Sequence, residues 1–307
     1  MHPRGINMEK LKEELYKVVF DYSIEEKLPD KKFIETILDL CIDPFNINDY
    51  VLDRDIGEDN ITENPQGAAC YWINTRKVVV DIERVKTIGI NRIMTDKEYG
   101  IISNTFLDYY KMNSQAMYII VHELSHACQY KKCFEEDTLE TDILKLKLGK
   151  NIAIVTNKPL TINEIEYYIL LDKQTWQYYA ASPSERMADI TGAEFERDIA
   201  KLLDPKKKSN IEEYSKLRLL NSKIKGYDIT SPTVAVTLVN ETAKGIVGLP
   251  QKYKERQEVE NMYNERANKL NLSFDERIRL GLPITEEEKH KVYQKIQNLR
   301  NILIKKD

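Results

Sequence analysis

His122-Glu123-Leu124-Ser125-His126 sets two imidazoles four residues apart around a glutamate. On a helix such residues share a face, so both rings can reach one point. Two neutral imidazoles so placed supply half of a tetrahedral zinc site. Glu123, one position on, can hold a carboxylate beside a zinc-activated water without binding the ion itself, the place of a general base in hydrolysis. The bland alternative is a core helix whose histidines are satisfied by hydrogen bonds. That alternative ordinarily places a histidine singly, not as a pair flanking a glutamate. The spacing favours metal.

A third protein donor must come from elsewhere. Gln129 and Lys132 stand where the longer H-E-x-x-H-x-x-G-x-x-H motif needs Gly and His, which excludes the metzincin arrangement. His2 and His290 lie near the termini with no supporting pattern. A carboxylate is therefore expected, from Glu135, Glu136, Asp137, Glu164, Glu166 and Glu185. Glu185 is preferred because Asp189 follows on the same helical face. One of the pair can bind zinc while the other accepts the free ring N–H of a liganding histidine and fixes its tautomer. Glu185 is also the third helical position after Ser182, where a capping-box glutamate belongs, so two roles compete for one side chain. An oxyanion donor could be Tyr178, Tyr179 or Tyr227, but among 18 tyrosines position singles out none.

These residues need a rigid frame. Met117, Ile120, Val121, Leu124, Ala127 and Cys128 recur at helical spacing, and no Gly or Pro occurs from Asn113 to Lys132, so this stretch reads as a buried helix. Cys128 falls on the apolar stripe and reads as core packing. Earlier, Met8–Phe20 and Lys31–Cys41 have helical periodicity, residues 46–69 read as a long loop, and 86–112 as irregular or helical. Tyr71 to Ile82 is β-branched and aromatic, a strand or hairpin pair with a turn at Asn74-Thr75-Arg76. Its open edge could pair with an extended peptide, or it is an ordinary sheet strand. Helices are expected over Glu135–Leu148 with Gly149 as C-cap, after the capping box Thr161-x-x-Glu164, and from Ser182-Pro183 to about Leu203, with a short strand at 151–156. Beyond residue 209 the chain reads as wholly helical, with starts at Ser231-Pro232, Ser273-x-x-Glu276 and Thr285-x-x-Glu288. The expected division is residues 1–205 and 206–307.

An H-E-x-x-H followed by a separate helix carrying E-x-x-x-D resembles the gluzincins, the thermolysin-like branch of the zinc metallopeptidases. Pro183-Ser-Glu-Arg-Met-Ala-Asp189 is similar to the second-helix signature of small cytosolic zincin-like peptidases of bacteria and their mobile elements. The likeness spans about residues 70–203 at a handful of positions. It implies an α+β fold, predominantly α-helical, with a zincin-like core, a small sheet and a helical C-terminal region. It implies His122, His126 and Glu185 as zinc ligands, Glu123 as base, and Asp189 supporting a ligand. The gap from His126 to Glu185 is long for that branch, implying a long helical insertion.

Composition reads as a globular chain and argues against other classes. Across 307 residues, 42% hydrophobic content supports a core while 31% charge indicates a soluble chain. A net charge of −4 argues against general nucleic-acid binding, and Lys206-Lys207-Lys208 is short enough to be solvated surface. No run of about 18 apolar residues exists to span a membrane, and no signal-peptide pattern opens the chain. Four cysteines without a C-x-x-C pair read as reduced thiols, hence a cytoplasmic protein. The expected function is zinc-dependent hydrolysis of peptide or protein substrates. The alternative is a non-catalytic zinc-bound module whose helical tail engages a partner. The intact Glu123 favours the enzyme. The oligomeric state is not specified by these patterns.

Overall fold

Three consecutive valines form the centre of the only sheet among the described residues. Val78, Val79 and Val80 are all fully buried, so their strand is covered on both faces, as a near-continuous apolar run requires. The computed structural model describes residues 8–57, 67–98, 104–136, 138–141, 183–204, 211–224, 265–280, 282 and 284–304. Within them α1 (Met8–Ile24) and α2 (Lys31–Ile42) precede β1 (Asp53–Gly57), β2 (Ala69–Trp72) and β3 (Lys77–Asp81). Then come α3 (Ile82–Glu98), α4 (Thr105–Glu135), α5 (Pro183–Ala200), α6 (Ile211–Ile224), α7 (Phe274–Leu280) and α8 (Glu286–Leu303). The chain is α+β and mostly helical, with a small mixed sheet.

β3 lies between its neighbours, antiparallel to β2 and parallel to β1. The β2–β3 pair is the expected hairpin, with Ala69 opposite Val80 and Trp72 opposite Lys77. β1 corrects the reading of 46–69 as loop alone. Its sequence, Asp53-Arg54-Asp55-Ile56-Gly57, has no apolar alternation and buries only Ile56. Pairing with β3 from Asp53↔Lys77 to Gly57↔Asp81 makes it a strand, and no local pattern announces that pairing.

Helix boundaries follow from capping. Asp30 accepts from the Phe33 amide at 2.8 Å and starts α2. Asp81 ends β3 and starts α3 in one residue, its carboxylate accepting from the Arg84 amide at 3.0 Å. Asn104 accepts from the Leu107 amide at 2.9 Å, so α4 begins well before the expected start at Asn113. At Ser273 and Thr285 the capping boxes form reciprocally: each backbone amide donates to the glutamate three residues on, at 2.8 Å in both cases.

The described chain divides into two compact units that interleave in sequence. One comprises Met1–Lys131, Ala188–Asn221 and Tyr293–Asp307; the other comprises Lys132–Met187 and Ser222–Val292. In the first, Leu11, Leu15 and Val19 of α1, Phe33, Ile34, Ile37 and Leu38 of α2, and Met117, Ile120, Val121 and Leu124 of α4 are buried. Each such side chain contributes roughly 1.5–3 kcal/mol by leaving water. The second has a smaller core of Leu139, Ala267, Leu280 and Leu282. Among the described residues no helix is long and apolar enough to cross a membrane. The expected boundary at 205–206, the helices over 142–148 and after Thr161, the strand at 151–156 and the helix start at Ser231-Pro232 lie outside the described residues.

Candidate metal centre

α4 carries the histidine pair midway along its length, flanked by fully buried Ile120, Val121, Leu124 and Ala127. This packing fixes the helix while His122 and His126 stay half-buried on one face. Their Nε2 atoms lie 3.2 Å apart, with the rings edge to face at 82°. Each ring has an acceptor at its other nitrogen. His122 Nδ1 is 3.0 Å from Asp189 Oδ1, and His126 Nδ1 is 3.1 Å from Gln129 Oε1. A carboxylate and an amide oxygen only accept, so both Nδ1 atoms carry the protons and both Nε2 lone pairs face inward.

With both rings neutral, the two Nε2 atoms can offer their lone pairs to one cation. Zinc–nitrogen bonds of about 2.0–2.1 Å in a tetrahedron put two nitrogens roughly 3.3 Å apart, close to the spacing found. Glu185 supplies the third donor. One ligand atom from each of His122, His126 and Glu185 lies within 4.8 Å of the others, the one cluster of its kind among the described residues. Glu135 and Glu136, at the end of α4, are not part of it. Asp137, Glu164, Glu166 and the three tyrosines weighed as oxyanion donors lie outside the described residues, as does Ser182, the N-cap of the competing role for Glu185. The donor set of two imidazoles and a carboxylate fits a metal ion, and zinc among others.

Glu123 is buried at 9% exposure, and its Oε1 is 4.0 Å from His122 Nε2. Its carboxylate therefore borders the point on which the imidazoles converge. Asp189 is buried and sits one turn after Glu185 on the uninterrupted α5. Its Oδ1 also accepts from Tyr118 Oη at 2.6 Å. Burial, partly opposed by the Arg218 cation and reinforced by Asp189, holds the Tyr118 hydroxyl above the ordinary tyrosine range, so it remains a donor.

Neither Gln129 nor Tyr118 has a role at the site in the reading of the sequence. Both had a local signal: Tyr118 precedes His122 by four residues and Gln129 follows His126 by three, the helical positions that reach each ring. Cys128, read as core packing, is half-buried. Fold and site together define a mostly helical α+β protein with a two-histidine, one-carboxylate candidate metal centre. No family model, curated protein or solved structure matches the chain.

Proposed function

We propose that the protein is a zinc-dependent metallopeptidase with a zincin-like core of the gluzincin type, cleaving peptide or protein substrates. The supporting observation is the pair of Nε2 atoms 3.2 Å apart, with ligand atoms of both histidines and Glu185 within 4.8 Å of one another and Glu123 alongside. His122, His126 and Glu185 would hold the ion. A zinc ion held there would lower the pKa of a bound water toward neutrality and act as a Lewis acid on the scissile carbonyl. Glu123 takes the proton of the attacking water as the new C–O bond forms, then delivers it to the amine as the C–N bond breaks. Asp189 and Gln129 hold the imidazoles in the tautomer that turns the Nε2 lone pairs to the ion. The outer sides of β1 and β2 are unpaired among the described residues, and an extended peptide can add to such an edge. Four cysteines with no C-x-x-C pair among them support a cytoplasmic setting.

The test is elemental analysis of purified wild type and Glu123→Gln, alongside cleavage of an unbiased peptide library. Both should carry one zinc per chain, and hydrolysis should fall by roughly 10²–10⁴-fold in the variant. Zinc without cleavage in the wild type would favour the binding module. A chain without zinc would refute both readings.

A further inference from the structure

Asp189 is itself held, and the holder belongs to α4. The Tyr118 ring is packed against two elements distant in sequence. One is α5 at Gly192, where an added Cβ would meet Tyr118 Cδ2 at 2.7 Å and Cε2 at 3.0 Å. The other is α6, whose Arg218 guanidinium carbon stands 3.5 Å from the ring centroid. A guanidinium stacked on an aromatic face restricts the ring, and a glycine lets the helix backbone approach it. So packed, the Tyr118 hydroxyl meets Asp189 Oδ1 at 2.6 Å, the same oxygen that takes the His122 Nδ1 proton at 3.0 Å. Arg218 is anchored in turn, its Nη1 lying 2.5 Å from Gln115 Oε1 and 3.1 Å from Glu196 Oε2.

The geometry points to Tyr118 as a positioning residue for the metal ligand His122, acting through Asp189 and packed against Gly192 and Arg218. Without the phenol, Asp189 keeps its charge but loses the donor that fixes which oxygen faces the imidazole. His122 then samples orientations in which Nε2 turns from the common point. The effect belongs to metal affinity and ligand geometry. The inference rests on the metal-site reading above.

Tyr118→Phe removes one oxygen, with its bonds to Asp189 and Arg218, and keeps the ring packed against Gly192 and Arg218. Zinc affinity is measured by competition with a chromogenic chelator, and the visible spectrum of the cobalt(II)-loaded full chain reports ligand geometry. Tyr118→Phe should weaken zinc binding by about 10-fold and alter the cobalt bands, because partners of metal-bound histidine act on this scale. Asp189→Asn should weaken binding more. The double variant should be no weaker than Asp189→Asn alone, since Tyr118 acts only through that carboxylate. Tyr110→Phe is the control. Its hydroxyl is buried on the same helix and makes no hydrogen bond, so its loss should leave zinc affinity and the cobalt spectrum unchanged.

If wild type binds zinc and Tyr118→Phe matches it in affinity and cobalt spectrum, the positioning role is overturned and the metal site stands. Fully additive losses in the double variant also overturn it, by showing a route that bypasses Asp189. A wild-type chain that takes up neither zinc nor cobalt overturns the metal reading, and the inference with it.

Discussion

Glu185 and Asp189 are one helical turn apart, yet their surroundings ask different things of them. Glu185 points an oxygen at the convergence of the histidines. Asp189 serves His122 Nδ1 and Tyr118 Oη with a single oxygen. A neutral amide is a poor zinc ligand but an adequate cap, so Glu185→Gln separates the two roles that the sequence allows this residue. The expected order of zinc affinity is wild type, then Asp189→Asn, weaker by roughly 10- to 100-fold, then Glu185→Gln, weaker still. Chelator competition on the three proteins checks the order. Undiminished zinc in Glu185→Gln would leave that residue only its helix-capping role.

At the scale of elements, the site depends on how closely α5 approaches α4. Gly192 permits it, since its missing side chain leaves room for Tyr118. The backbone oxygen of Tyr118 would lie 3.0 Å from an added Cβ, so a ring movement alone cannot relieve the contact. Gly192→Ala should therefore destabilise the fold by about 1–3 kcal/mol, as overpacking does, against a helix-propensity gain of about 1 kcal/mol. Urea unfolding measures the sum, and chelator competition shows whether metal affinity falls too. An equally stable variant with intact affinity would mean the helices are not held at this distance by the glycine.

For the molecule as a whole, a buried ionic cluster joins α3, α4, α5 and α6. Glu196 accepts from Arg92 at 3.2 Å and Ser114 at 3.1 Å, with Arg218 at 3.1 Å from its second oxygen. Arg92 also stacks on Tyr214, 4.4 Å from the ring centroid. Burial by itself would raise the Glu196 pKa, but Arg218 and Arg92 together hold it below the ordinary 4.5. The unfolded chain therefore binds this proton at higher pH than the folded one. The stabilisation is complete above about pH 4.5 and is lost as pH falls through the lower folded value. Glu196→Gln leaves two buried guanidinium groups under-compensated and should cost about 3–5 kcal/mol at neutral pH. Its acid unfolding curve should be flatter than wild type below pH 4.5. Urea unfolding between neutral and acid pH reads both, and parallel curves would remove Glu196 from the acid response.

What the sequence by itself determined is local. Fixed helical spacing placed two imidazoles on one face, the paired valines and aromatics marked the β2–β3 hairpin, and Ser273-x-x-Glu276 and Thr285-x-x-Glu288 marked helix starts. Each follows from interactions within a few residues, where backbone geometry leaves little choice. Tertiary structure decided the rest. β1 is a strand only because β3 offers it a ladder, for Asp53-Arg54-Asp55 has no strand pattern of its own. Of the two acids preferred on α5, the tertiary structure set Asp189 on His122 Nδ1 and brought a Glu185 oxygen within 4.8 Å of a ring nitrogen of each histidine. The packing of Gly192 and Arg218 against Tyr118 joins three helices, and contacts between distant segments depend on packing that no short window of residues records.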